Sequence, residues 1–222
     1  MSLIFEKIPA MELIHPLVQQ YAEAFSTPED ELLEEINLFT VKKHPEHHML
    51  SGHLQGKMLE MISRMIQPRR ILEIGTFTGY SALCLAKGLK PGGQLHTIEL
   101  READAAIAKG FFNRSSFSSQ IILHAGNALS ILPELSETWD LVFVDADKVS
   151  YIEYFKLVLP QLRENGFILV DNIFFHGQVL EPEVKGKSAR AIKEFNEFIR
   201  ERNDIDKMII TLRDGLYLIR KL

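Results

Sequence analysis

Residues 71–82 read ILEIGTFTGYSA. An apolar run carries an acid, Glu73, and passes through Gly75 and Gly79 into a second apolar segment. Glycines at these two places let the backbone turn tightly and approach a ligand just before a helix begins. The unit is a strand, a loop and a helix. Its spacing, E-x-G-x-x-x-G, is not the G-x-G-x-x-G of dinucleotide-binding loops. That weakens a nicotinamide reading and favours S-adenosylmethionine, whose amino acid end such a loop can hold.

Working outward, apolar runs predict strands near 70–74, 94–99, 120–124, 139–145, 166–171, 206–212 and 216–220. Helices are expected between them near 79–89, 101–112, 148–162 and 188–202. This alternation implies an α/β fold: a mainly parallel sheet with helices on both faces. DKMIITL and GLYLIRK, joined by RDG, predict a hairpin, so an antiparallel pair closes one edge. Upstream, residues 1–66 read as helical. Thr27 is the expected cap, with Pro28 at the first helical position and acids in the first turn. Leu32, Leu33, Ile36 and Phe39 share one face, and Leu54, Met58, Met61, Ile62 and Met65 form a second stripe. No linker, repeat or low-complexity stretch interrupts the chain. One domain over 1–222 is expected, with a helical extension (1–66) and a cofactor-binding α/β core (67–222).

Composition excludes several classes. Of 222 residues 46% are hydrophobic and 25% charged, which suits one substantial core. The net charge of −5 gives no general field for nucleic acid or an anionic membrane, and no apolar run reaches the length of a membrane span. The single cysteine, Cys84, excludes an internal disulfide and reads as a buried thiol. The opening MSLIFEKIPAMELIHP has acids and no cleavable signal pattern, so a reducing cytoplasm is the expected setting. His44, His47, His48 and His53 cluster in a polar stretch and are read as a zinc set or as a solvated loop at a substrate gate. EVKGKSARAIKEFNEFIRER mixes bases with acids and reads as an amphipathic helix rather than an RNA patch.

Four strands carry an acid at their ends: Glu73, Glu99, Asp145 and Asp171. Parallel strands place all four along the carboxyl edge of the sheet, where open α/β sheets bind ligands. Carboxylates there are costly unless water or positive charge meets them. Together they point to a ligand bearing positive charge and hydroxyls rather than several phosphates. Glu99 is placed to accept ribose hydroxyls. Asp145, Asp171 and Asn172 offer hard oxygen donors of the kind Mg²⁺ takes. Lys148 is within reach of the same spot and is the candidate general base. Phe174 and Phe175 are either core or an aromatic wall for a planar acceptor.

EIGTFTGYS, HTIE, VDADK and DN, in that order, resemble the cation-dependent class I O-methyltransferases, the family of the catechol and caffeoyl-coenzyme A enzymes. The resemblance runs over nearly the whole chain. It implies a Rossmann-like, seven-stranded sheet with its last strand antiparallel. It implies S-adenosyl-L-methionine held by Ser51, Glu73, Gly75, Thr76, Ser81, Glu99, Ala128, Asp145 and Asp147. A divalent cation, Mg²⁺ first with Ca²⁺ or Mn²⁺ as alternatives, would sit on Asp145, Asp171 and Asn172. Lys148 would be the base, and Phe174, Phe175 and His176 would meet the acceptor. The catechol enzyme has His-Trp after its metal aspartate; Ala146-Asp147 here sides with the caffeoyl-coenzyme A branch and its bacterial relatives. Ile173 to His176 depart from that branch's Thr-Leu-Trp-Asn, which leaves the acceptor open. The expected activity is methyl transfer to a hydroxyl of a small catechol-like aromatic. The same chemistry on a tRNA hydroxyuridine and a non-catalytic binding module are the alternatives. A homodimer is expected by the same resemblance.

Overall fold

The structure, a computed structural model, describes residues 13–222; the helical expectation for residues 1–12 lies outside the described residues. Its strands are β1 (Arg70–Ile74), β2 (Gln94–Glu99), β3 (Ile121–Ala125), β4 (Trp139–Val144), β5 (Leu162–Asp171), β6 (Ile205–Ile210) and β7 (Leu216–Lys221). They form one sheet in the order β3-β2-β1-β4-β5-β7-β6. The pairs among β1 to β5 are parallel, and β7 runs antiparallel to both β5 and β6. The expected terminal hairpin is therefore present, with the last strand inserted as the antiparallel one. The strand order reverses at β1 and β4, which opens a crevice at their carboxyl ends.

β4 shows why this chain makes a buried sheet. Leu141 and Phe143 point into one apolar cluster with Leu59 and Leu83; Val142 and Val144 point into the other with Phe155 and Phe195. A central parallel strand needs apolar residues on both faces, and WDLVFV supplies them. The covering helices are α1 (Pro16–Ala24), α2 (Glu31–Lys43), α3 (Gly52–Ile66), α4 (Tyr80–Ala86), α5 (Glu102–Phe112), α6 (Ala128–Ile131), α7 (Tyr151–Gln161) and α8 (Lys187–Arg200). Cys84 is buried on α4, and burial pushes its thiol pKa up. Among the described residues no helix is long and apolar enough to cross a membrane.

Three local expectations are corrected. Thr27 does not cap α2; Asp30 does, accepting the Leu33 N–H at 3.0 Å. The same carboxylate takes Lys87 Nζ at 2.7 Å, so one side chain serves both the helix end and a cation from the core. Lys148 opens a short 3₁₀ turn, Lys148–Ser150, and α7 begins only at Tyr151. β5 starts at Leu162 rather than 166 because Leu162 pairs with Trp139 ahead of a register shift.

The buried face of α3 is also not the Met stripe. Gln55, Gly56, Leu59, Glu60, Ile62 and Ser63 face inward, whereas Met61 and Met65 are exposed. Close approach to α4 decides this: a Cβ at Gly56 would lie 2.5 Å from Tyr80 Cε1 and 2.9 Å from Cys84 Sγ. Tyr80 cannot retreat, since its ring is buried and its hydroxyl is bonded to Glu29. Gly56→Leu is expected to cost about 3 kcal/mol, the upper end of overpacking. That corresponds to a fall of about 6–12 °C in a thermal melt of a chain this size.

Candidate active site

Gly75 follows β1 at φ +102°, and a Cβ there would lie 2.0 Å from the Asp145 carbonyl oxygen. Glycine alone lets the loop after β1 pass this close to the end of β4. Gly75 N–H bonds the Ile98 carbonyl at 3.0 Å, and Asp145 N–H bonds that of Ile74 at 2.9 Å. Over this junction opens a cavity of about 530 Å³, within the usual range for small-molecule sites.

One half suits a nucleoside. Glu99 ends β2 almost fully buried. Its Oε2 accepts the Phe77 N–H at 2.7 Å and its Oε1 the Arg101 N–H at 2.9 Å. Two backbone donors fix the carboxylate while its remaining lone pairs can accept ligand hydroxyls. Ser51, Gly75, Thr76, Ser81, Ala128 and Asp147 line the same cavity. Glu73 is wholly buried and is not among the lining residues; Thr97 donates to its Oε2, and its Oε1 lacks a partner among the described residues.

Burial pushes the Glu73 pKa up to about 8 from an ordinary 4.5. An acid whose folded pKa lies above its unfolded one binds its proton more tightly in the fold. Glu73 therefore withdraws stability as pH rises from about 4.5 to about 8. Glu73→Gln should lose less melting temperature than the wild type between pH 5 and 8. A parallel decline in the two proteins would refute this.

The other half is acidic and paired. Lys148 Nζ donates to Asp145 Oδ1 at 2.7 Å and to the Tyr151 hydroxyl at 2.8 Å, and that hydroxyl donates to the Asp171 carbonyl at 3.2 Å. Two of the ammonium's three N–H groups are thus spent, leaving one. Burial opposes the charge on Lys148, but Asp145, Tyr151 and Asp171 outweigh it and hold the pKa above its ordinary value. Asp171 is buried, and burial with the neighbouring Asp145 charge raises its pKa to about 7. Gln55 Nε2 donates to its Oδ2 at 2.7 Å and Asn172 N–H to its Oδ1 at 2.8 Å. Asn172, at φ +57°, turns its amide nitrogen to Asp214 Oδ2 at 3.3 Å, leaving its oxygen free. Two close carboxylates short of positive charge, with an amide oxygen beside them, fit a divalent cation.

Phe175 and His176 line the cavity. Phe174 does not line it; partly buried, it packs on the edge of an apolar cluster and against Gly215, the glycine of the β6–β7 turn. The histidines of the zinc reading take separate partners: His44 meets Asp104 at 2.9 Å, His48 meets Glu46 at 3.6 Å, and His53 Nε2 bonds the Thr27 carbonyl at 2.7 Å. Among the described residues no three His, Cys, Asp or Glu side chains are grouped to hold a metal. His48 stands at the cavity wall, which suits the gate reading. Sequence reasoning missed Gln55, Phe77, Tyr151, Arg213 and Asp214. Of these only Tyr151 had a local signal, lying one helical turn after Lys148.

The strand order, the glycine loop and the acids along one edge build a cavity suited to a ligand that bears hydroxyls and positive charge. The O-methyltransferase family model matches residues 23–222. The catechol O-methyltransferase of Niastella koreensis is 33% identical over 162 residues, 71% of this chain and 73% of that one. Caffeoyl-CoA O-methyltransferase 5 of Nicotiana tabacum is 28% identical, with 87% of this chain and 85% of that one covered. The crystal structure of the O-methyltransferase TomG from Streptomyces achromogenes, in complex with SAM, matches with a TM-score of 0.84 at 32% identity, covering 92% and 96% of the two chains. The chain belongs to the O-methyltransferase family and is an S-adenosylmethionine-dependent O-methyltransferase.

Proposed function

We propose that this enzyme methylates one hydroxyl of a small catechol-like aromatic, with a divalent cation, Mg²⁺ first, on Asp145, Asp171 and Asn172. The observation that carries this reading is the Asp145–Asp171 pair with Lys148 against it, in the cavity that also contains Glu99. The relatives named for catechol and caffeoyl-CoA support an acceptor with vicinal hydroxyls.

Each residue has a physical role. Glu99 accepts the ribose hydroxyls of S-adenosyl-L-methionine, and Ser51, Gly75, Thr76, Ser81, Ala128, Asp145 and Asp147 enclose the rest of it. Glu73 supports the glycine loop from beneath. When bound, this cofactor supplies a methyl carbon made electrophilic by its sulfonium. A divalent cation held by Asp145, Asp171 and Asn172 would supply Lewis acidity and would offset the carboxylate charge that holds Lys148 protonated. With that charge offset, Lys148 would release one proton to water; its two remaining N–H groups stay on Asp145 and Tyr151, and the freed lone pair takes the acceptor's proton. Phe175 forms an aromatic wall, and His176 stands at the rim. A water-poor cleft around these residues would favour a transfer in which opposite charges cancel.

The whole chain, 1–222, works as one cytoplasmic methyltransferase domain and as a homodimer. Exposed Tyr21, Phe25, Met61 and Met65 on the N-terminal helices supply the apolar surface for the second copy. A monomer in light scattering would reject the dimer. Incubation with methyl-labelled S-adenosylmethionine, a panel of catechols and bulk tRNA tests the acceptor. Label in catechols is expected; label in tRNA alone would assign a hydroxylated base instead, and label in neither would reject both acceptors.

A further inference from the structure

The turn between β6 and β7 does more than close a hairpin. Gly215 N–H bonds the Leu212 carbonyl at 2.9 Å, and Arg213 sits at φ +49°, a left-handed conformation that favours glycine. The turn docks on the segment after Asn172: Phe174 N–H bonds the Asp214 carbonyl at 2.9 Å, and Asp214 Oδ1 accepts the His176 N–H at 2.6 Å. Arg213 reaches the cavity wall. Its Nη1 donates to Gln55 Oε1 at 3.0 Å and also to the Ser51 carbonyl.

Side-chain amides have no intrinsic preference for which end faces a partner. Here the partners decide. A guanidinium has only donors, so Gln55 must give it oxygen and turn its NH₂ to Asp171 Oδ2, 2.7 Å away. A carboxylate has only acceptors, so Asn172 must give Asp214 its NH₂ and keep its oxygen free. Reversed amides would place an oxygen against the Asp171 carboxylate and an N–H toward a cation.

We infer that Arg213 and Asp214 are positioning residues that set these two amides in opposite senses and so assemble the oxygen donor set for the divalent cation. The inference rests on the divalent-cation reading above. Neighbouring residues of one tight turn do both jobs: Arg213 fixes the group that holds Asp171, and Asp214 fixes Asn172 itself.

The test is a Mn²⁺ titration of the full chain without acceptor, following the free ion by electron paramagnetic resonance. Removing the outer partner of a metal ligand weakens binding about 10- to 100-fold. Asp214→Ala should show a loss of that size; Arg213→Met, which acts on Asp171 through Gln55, should show a smaller but clear loss, with metal-free melting close to the wild type. Arg213→Lys, which keeps a donor for Gln55, should recover most of it. Because Asp214→Ala also strips the His176 N–H of its acceptor, it can fail to fold; Arg213→Met against Arg213→Lys then decides. Unchanged Mn²⁺ affinity in Arg213→Met, or equal losses in Met and Lys, overturns the inference alone. No Mn²⁺ binding by the wild type overturns the cation reading and this inference with it.

Discussion

Lys148→Ala should lower kcat by about 10²–10⁴-fold, the usual worth of a positioned proton-transfer group, with S-adenosylmethionine affinity unchanged. Lys148 lies beside Asp145 and Tyr151, in the field of the Asp145–Asp171 pair. Its removal leaves the glycine loop and Glu99 untouched. It also removes a cation that competes for Asp145, so divalent-ion binding should tighten or stay level. That separates loss of the base from loss of the metal. Rapid-quench turnover with calorimetry on the same protein checks both; near-wild-type kcat would exclude Lys148 as the base.

Gly75→Ala should abolish cofactor binding and destabilise the fold by about 2–6 kcal/mol. Its Cβ would lie 2.0 Å from the Asp145 carbonyl oxygen and 2.7 Å from its carbon, both backbone atoms that cannot rotate away. Overpacking of this kind costs about 1–3 kcal/mol, and a strained left-handed alanine adds about 1–3 kcal/mol. Any relief separates β1 from β4 at the base of the cavity, so calorimetry with S-adenosylmethionine should show no heat. A variant that melts and binds like the wild type would contradict the close crossing of Gly75 and Asp145.

The parts legible in the sequence were those fixed by local pattern. Apolar runs closed by Glu99, Asp145 and Asp171 marked strand ends, and parallel pairing brought these acids to one edge without further information. What stayed hidden depends on distant partners. Thr27 and Asp30 are both good caps, and Lys87 from the end of α4 favours the second. The inward face of α3 is chosen by a glycine's closeness to Tyr80, not by its methionines. Phe174 and Phe175 are chemically alike and both pack against one apolar cluster, yet only Phe175 also lines the cavity. RDG announced a hairpin, but nothing local tells that its arginine and aspartate reach Gln55 and Asn172.

The Asp145–Asp171 pair is proposed to support cation-dependent methyl transfer to a vicinal diol. The most direct test is the initial rate of label transfer from S-adenosylmethionine to a simple catechol, with Mg²⁺, with a chelator, and with Mg²⁺ restored. The predicted result is transfer in Mg²⁺, loss of at least about 100-fold in chelator, consistent with the several kcal/mol a Lewis acid supplies, and recovery on adding the ion back. Equal rates with and without chelator would contradict it.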